Sequence, residues 1–86
     1  MNTTPDYDLM FTVAQRDMAE IDRNACAGKL QEARKIVHRL AFLDAPAHER
    51  VRAKHMVTCL ERELEQHKEK LTGLRKEVSE LDWSQA

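Results

Sequence analysis

The chain has 86 residues, of which 42% are hydrophobic and only 5% aromatic, so it has room for one small domain with a thin core and none for a second. The net charge of −1 excludes a strongly basic or acidic protein, and a charged fraction of 34% with two glycines and two prolines favours a folded helical chain over a disordered one. Two cysteines are too few for a disulfide framework, no apolar run approaches the roughly 20 residues of a membrane span, and Met1–Asp6 lacks the pattern of a secretory signal. We therefore expect a soluble, cytoplasmic protein with reduced thiols.

A first helix is predicted for about residues 5–27. Thr4, Pro5 and Asp6 offer a capping hydroxyl, a proline suited to the first turn and a carboxylate at the positive end of the helix dipole. Gly28 is a natural end cap. Residues of one apolar face follow at helical spacing: Met10, Ala14, Met18, Ile21 and Ala25. We expect this face to be buried, with the polar residues between its members in solvent.

A second helix is predicted for about residues 29–43, followed by a short turn. Its apolar stripe consists of Leu30, Ala33, Val37 and Leu40. Ile36 and Leu43 widen the stripe. In the turn, Asp44 can cap the next helix and Pro46 can occupy its first turn. Because the connection is short, the second and third predicted helices should be antiparallel neighbours.

The third predicted helix, about residues 46–83, carries a seven-residue repeat. Its members alternate at spacings of four and three: Ala53, Val57, Leu60, Leu64, His67, Leu71, Leu74, Val78 and Leu81. Such a repeat is typical of a coiled-coil seam. This helix should outrun the other two, and Gly73 is the position where it could bend. The predicted fold is therefore all-α, a helical hairpin or three-helix bundle with a long C-terminal coiled-coil helix, in a single domain spanning residues 1–86.

The second half of that seam is the predicted protein interface. Its residues are Leu64, His67, Leu71, Leu74, Val78 and Leu81, with Trp83 as a further anchor. His67, the one polar member, either marks the register or acts as a pH switch. In a parallel homodimer, two flanking pairs would repel, Lys70 with Arg75 and Glu77 with Asp82, and one would attract, Glu63 with Lys68. The sequence therefore predicts a different protein as partner or a homo-oligomer, most simply an antiparallel dimer.

No pattern in the chain indicates catalysis, a metal or a cofactor. There is no glycine-rich phosphate loop and no nucleophile elbow, and the acids between Glu61 and Glu69 alternate with bases as on a solvated helix face. His55 and Cys59 lie one helical turn apart, but zinc needs three or four ligands. We expect the protein not to be an enzyme.

Nucleic-acid binding is the alternative, because charge is unevenly distributed. Residues 28–55 contain seven basic and three acidic residues, a net charge of +4. The basic side chains form a candidate patch for phosphates or an acidic partner: Lys29, Arg34, Lys35, Arg39, Arg50, Arg52 and Lys54. The patch offers no aromatic residue on which a base could stack.

The stretch from Arg34 to Asp44, with its Leu40, Phe42, Leu43 and Asp44 run, resembles part of the C-terminal helical domain of the J-type co-chaperone of iron–sulfur cluster assembly. The His-Pro-Asp motif of a J-domain is absent, so the resemblance implies a helical shape and no co-chaperone activity. The build is also similar to that of small helical chaperones of secretion systems and of phage-encoded inhibitors. The sequence thus predicts a non-catalytic interaction module of the inhibitor, adaptor or small-chaperone type, acting by occlusion or scaffolding, with a helical nucleic-acid-binding regulator as the alternative.

Overall fold

Two long helices joined by a short turn make up the fold. The computed structural model describes residues 7–85, with side chains described for residues 7–83. Helix α1 is Tyr7–Phe42 and helix α2 is Ala47–Gln85, and the two pack against each other as an antiparallel hairpin. The Cα atoms extend over 70 × 15 × 14 Å, which leaves no room for a third layer of helices of about 10 Å diameter. The all-α prediction is confirmed, and of its two architectures the hairpin is the one observed.

The predicted break at Gly28 is wrong, because α1 continues through it without interruption. The predicted helices 5–27 and 29–43 are therefore one helix, and a three-helix bundle does not form. A glycine inside a helix costs about 1 kcal/mol relative to alanine. Buried Cys26 and Leu30 flank Gly28 and pack against α2, and this burial offsets the cost. The predicted cap at Thr4, Pro5 and Asp6 lies outside the described residues.

The predicted overhang of the last helix is also wrong. α1 has 36 residues and α2 has 39, so the two helices cover each other along nearly their whole length. α2 passes through Gly73 as a continuous helix. The repeat in α2 therefore has a helical cover within the same chain.

The end of α1 is closed by a left-handed residue, Asp44, with φ of 52°. The Ala45 amide donates to the Leu40 carbonyl at 3.0 Å, and the Asp44 amide donates to the Ala41 carbonyl at 3.2 Å. This pair of hydrogen bonds is the Schellman arrangement, which satisfies carbonyls that the last helical turn leaves free. Asp44 thus closes α1, whereas the sequence suggested that it caps the following helix.

The start of α2 is defined by Pro46. The carbonyl of Pro46 accepts hydrogen bonds from the amides of Glu49 and Arg50 at 3.1 and 3.2 Å. Pro46 therefore occupies the capping position just before the first helical residue, Ala47, rather than the first turn itself.

The repeat of α2 lies along the face that packs against α1. All nine of its positions are buried or half-buried, and Leu71 is the most buried side chain at 1% exposure. The alternation of four and three residues keeps these side chains on one stripe of the helix, as predicted.

The face of α1 that meets α2, the inner stripe, is not the predicted one throughout. Its positions alternate at three and four residues and are all buried or half-buried: Leu9, Thr12, Arg16, Ala19, Arg23, Cys26, Leu30, Ala33, Val37 and Leu40. The part from Leu30 to Leu40 matches the sequence prediction. In the first half, the predicted apolar face of Met10, Ala14, Met18, Ile21 and Ala25 is exposed instead. That part of the prediction is wrong.

Two polar side chains of the inner stripe, Thr12 and Cys26, are satisfied by hydrogen bonds. The hydroxyl of buried Thr12 donates to the Asp8 carbonyl one turn earlier, at 2.8 Å. The thiol of buried Cys26 donates across the interface to the Leu60 carbonyl at 3.7 Å. Because a buried polar group without a partner is costly, these bonds explain why the two residues are tolerated between the helices.

Candidate protein-interaction surfaces

The predicted interface residues of α2 divide into two groups. Six of them lie on the face that packs against α1: Leu64, His67, Leu71, Leu74, Val78 and Leu81. Trp83, by contrast, is 79% exposed near the end of α2. Leu71 is 1% exposed and the other five are half-buried against α1, whereas Trp83 is accessible as it stands.

The first half of α1 carries an exposed apolar stripe, which we call the outer stripe. Its members alternate at spacings of four and three: Tyr7, Phe11, Ala14, Met18, Ile21, Ala25 and Gly28. Phe11 is 65%, Met18 59% and Ile21 61% exposed. The three- and four-residue spacing places the outer stripe on the side of α1 opposite the inner stripe. An apolar row of this regularity is more than the scattered hydrophobic residues of an ordinary surface.

Polar side chains flank the outer stripe on both sides. On one side the flanking residues are Asp8, Gln15, Asp22 and Lys29, and on the other they are the apolar Met10 and the polar Asp17 and Asn24. The carboxylate of Asp17 also forms an ion pair with the guanidinium of neighbouring Arg16, at 3.1 Å. The border thus carries three acids, Asp8, Asp17 and Asp22, and a single lysine at its C-terminal end.

A second apolar surface, which we call the lateral groove, follows one edge of the interface between the helices. Two adjoining hollows of about 760 and 350 Å³ share Ala33, Ile36 and Met56 as lining residues. One hollow begins at Gly28 on α1 and the other reaches Leu40. At 1.5 Å per residue, the groove is about 18 Å long. Its floor is apolar and open to solvent.

Charged residues of both signs border the lateral groove. Those among its lining residues are Lys29, Glu32, Glu49, Arg52 and Glu63. The Lys35 ammonium pairs with the Glu32 carboxylate at 3.2 Å, which leaves Glu32 partly neutralised. An apolar floor with a mixed polar border is the usual anatomy of a protein-binding site.

The basic residues of the predicted patch do not share one face. Lys29 and Arg52 line the lateral groove, while Arg34 and Lys54 line a smaller hollow at the opposite edge of the hairpin. Arg34 also forms an ion pair with Glu61 at 3.4 Å. The other members are Lys35 and Arg39, exposed on α1, and Arg50, whose buried Nε has no hydrogen-bond partner in the described part of the chain.

His55 and Cys59, which lie one helical turn apart on α2, are close in space. The Cys59 thiol lies 3.6 Å from Nε2 of His55. Within residues 7–83, no group of three or more histidine, cysteine or acidic side chains is arranged to hold a metal ion. Neither of the described helices is long and apolar enough to cross a membrane.

Comparison of the chain with protein-family models, with curated proteins and with solved structures finds no match. The function is therefore inferred from the surfaces of the hairpin.

Proposed function

We propose that this protein is a non-catalytic interaction module that binds an amphipathic helix of another protein in the lateral groove. The observation that carries the proposal is the open apolar floor formed by Ala33, Ile36 and Met56 between two helices that are already packed on each other. Occupation of the groove requires no rearrangement of the hairpin.

The shape of the groove favours a helix as its occupant. A length of about 18 Å accommodates roughly twelve helical residues, or three turns. Ile36 is 44% and Met56 51% exposed, so both still have apolar surface to lose on binding. A helix with apolar residues at positions i, i+3 or i+4, and i+7 would place one row of side chains on the floor. The flexible thioether of Met56 suits a surface that adapts to its ligand.

The border of the groove would set the direction of the bound helix. Lys29 and Glu63 lie at one end, and Glu49 and Arg52 lie at the other. Charges at the edge of an interface contribute more to orientation and to the association rate than to affinity. The binding energy would therefore come mainly from the apolar floor.

Binding in this groove fits the roles of adaptor, inhibitor or small chaperone, since each acts by covering or presenting a segment of another protein. Exposed Trp83 lies far from the groove along α2 and would be an additional anchor only for a partner that extends along the hairpin. Nucleic-acid binding has less support, because the basic residues lie on different sides and two of them pair with acids.

The test is site-specific photocrosslinking in the cells that make the protein. A benzophenone side chain replaces Met56 in the groove, and in a matched variant it replaces Val51, which is also exposed but does not line the groove. We expect a discrete protein adduct from position 56 and none from position 51. The crosslinked peptide should map to a segment with helical amphipathic spacing.

A second variant tests whether the adduct depends on the apolar floor of the lateral groove. Ile36→Glu places a carboxylate on the apolar floor and should remove the adduct formed at position 56 while leaving the circular dichroism spectrum of the hairpin unchanged. Equal labelling from positions 51 and 56, or labelling that survives Ile36→Glu, would show that the groove is not the binding site.

A further inference from the structure

We propose that the outer stripe is a self-association surface, on which α1 of a second copy packs in the antiparallel direction. This interface adjoins the lateral groove, with which it shares only Gly28 and Lys29, and would join two hairpins back to back. The proposal rests on the size and charge complementarity that appears when the stripe is paired with itself.

Side-chain sizes match when Met18 faces Ile21 of the second copy. In that register, Ala14 faces Ala25 and Phe11 faces Gly28, and the two-fold symmetry repeats each contact. A Cβ built on Gly28 would meet no atom within 4 Å, so the space beside this residue is open to a phenyl ring. The parallel arrangement would instead place Phe11 on Phe11 and Gly28 on Gly28, an overfilled level and an empty one.

Charges favour the same direction. In the antiparallel register the nearest flanking pairs are Asp8 with Lys29, Gln15 with Asp22, and Asp17 with Asn24, each between copies. None of these pairs brings like charges together, and the first is attractive. A parallel pair would place Asp17 beside Asp22 of the second copy, which is repulsive and occurs twice.

The area agrees with a reversible dimer. Tyr7, Phe11, Met18 and Ile21 are each about two-thirds exposed and together present on the order of 500 Å² of apolar side chain. Two copies would bury at most about 1,000 Å², which is the lower limit for a specific interface. The dimer population should therefore depend strongly on protein concentration.

The deciding measurement is sedimentation equilibrium from about 1 µM to about 1 mM, with two matched variants. Met18→Glu places a charge in the outer stripe, and Met56→Glu places the same charge at a methionine of similar exposure in the lateral groove. We expect the wild type and Met56→Glu to dimerise alike and Met18→Glu to dimerise at least about tenfold more weakly. A wild type that stays monomeric, or a Met18→Glu variant that dimerises like the wild type, would overturn the proposal.

Failure of this proposal is distinguishable from failure of the proposed function. Groove binding is read from the adduct at position 56, which Ile36→Glu should remove, and self-association is read from the mass, which Met18→Glu should change. If the wild type is monomeric and a photocrosslinker at Met18 captures a basic amphipathic helix, the outer stripe binds a different protein and the self-association proposal is wrong.

The direction of packing is tested by cysteine pairing. In a background with Cys26→Ala and Cys59→Ala, Ala14→Cys and Ala25→Cys are prepared as separate proteins and oxidised with oxidised glutathione, alone and mixed. The antiparallel register brings position 14 of one copy to position 25 of the other, within the Cα separation of about 6 Å that a disulfide requires. We expect a disulfide-linked dimer mainly from the mixture. Efficient linking of each variant with itself would mean parallel packing, and no linking in the mixture would contradict the register.

Discussion

The half of the hairpin near the turn and the half at its open end differ in which face of α1 carries the large apolar side chains. Near the turn, the inner stripe of α1 is aliphatic from Leu30 to Leu40, and the outer face carries Lys35 and Arg39 before it ends at exposed Phe42. At the open end, the inner stripe includes Arg16 and Arg23, while the apolar residues lie outside. Most of the large apolar side chains of α1 therefore lie on the outer face before Gly28 and on the inner face after it. The turn half leaves the lateral groove exposed beside α2, whereas the open half leaves the outer stripe exposed on the far side of α1.

The two halves of α2 do not differ in this way. Its repeat is apolar from Ala53 to Leu81 except at His67. At the open end these residues pack against a stripe that contains arginines and the small Ala19, which is only 2% exposed. The open half thus depends on α2 for its interior, and we expect the largest single-residue effect there.

The most damaging substitution should be Leu71→Ala. Leu71 is 1% exposed, and truncation of such a leucine removes apolar burial and leaves a cavity, which costs about 2 to 4 kcal/mol. Urea denaturation followed by circular dichroism would measure the loss. Leu43→Ala is the matched control, because Leu43 is 64% exposed and should cost little. Equal effects at the two positions would mean that the open half is not packed as described.

Arg23→Leu should make the open half resemble the turn half. Arg23 is half-buried on the inner stripe, and its guanidinium reaches only the side chain of neighbouring Asn24 among the hydrogen bonds observed, at 2.9 Å. A leucine would add apolar burial against α2 and raise the free energy of unfolding by about 1 kcal/mol. Thermal unfolding is the measurement, with exposed Arg62→Leu as the control. A lower melting temperature for Arg23→Leu would show that the arginine stabilises the interface.

Asp44→Gly should stabilise the turn half. Asp44 has φ of 52°, which glycine adopts without the steric cost that a side chain carries. The expected gain is about 0.5 to 1 kcal/mol, less any loss from the greater freedom of glycine in the unfolded chain. Asp44→Ala is the informative comparison, since alanine keeps the Cβ and lacks a polar side chain. The order of stability in urea should be glycine, then aspartate, then alanine.

The smallest effect is expected at the ion pair that joins the helices on the surface of the turn half. Arg34 and Glu61 pair at 3.4 Å, and both side chains are about half exposed to solvent. Glu61→Gln should change the free energy of unfolding by less than about 0.5 kcal/mol, and the difference should shrink further in salt. A loss above 1 kcal/mol would mean that the pair fixes the register of the two helices.

The sequence predicted the α-helical class, the position of the turn and the buried face of α2, because each rests on a local or periodic signal. It did not predict that α1 is continuous, since Gly28 resembles an end cap and only packing of Cys26 and Leu30 on α2 overrides that preference. This continuity also determines which face of the first half of α1 packs against α2. Because the helix is rigid, the stripe that contains Leu30 continues towards the N-terminus at spacings of four and three residues. It therefore includes Arg23 and Arg16, although both are charged.

Periodicity placed four members of the outer stripe, Ala14, Met18, Ile21 and Ala25, on one face but could not tell which way that face pointed. Met18 and Ile21 are the largest apolar residues between positions 14 and 25, so burial within the chain was the simplest expectation. The signal that would have revealed the true direction is the phase between the two halves of α1, which becomes informative only once Gly28 is taken as helical. The lateral groove has no sequence signature, because it depends on how two helices are set side by side.

Because α1 continues through Gly28 without a break, the number of residues at this point determines which face of the first half of α1 packs against α2. Two residues inserted there would turn everything before them by about 200° around the helix axis and bring Met18 and Ile21 towards α2. Such a chain would hide its apolar surface inside its own hairpin and expose arginines instead. If the outer stripe self-associates as proposed, a length change of two residues, with no substitution at either surface, would leave the chain monomeric.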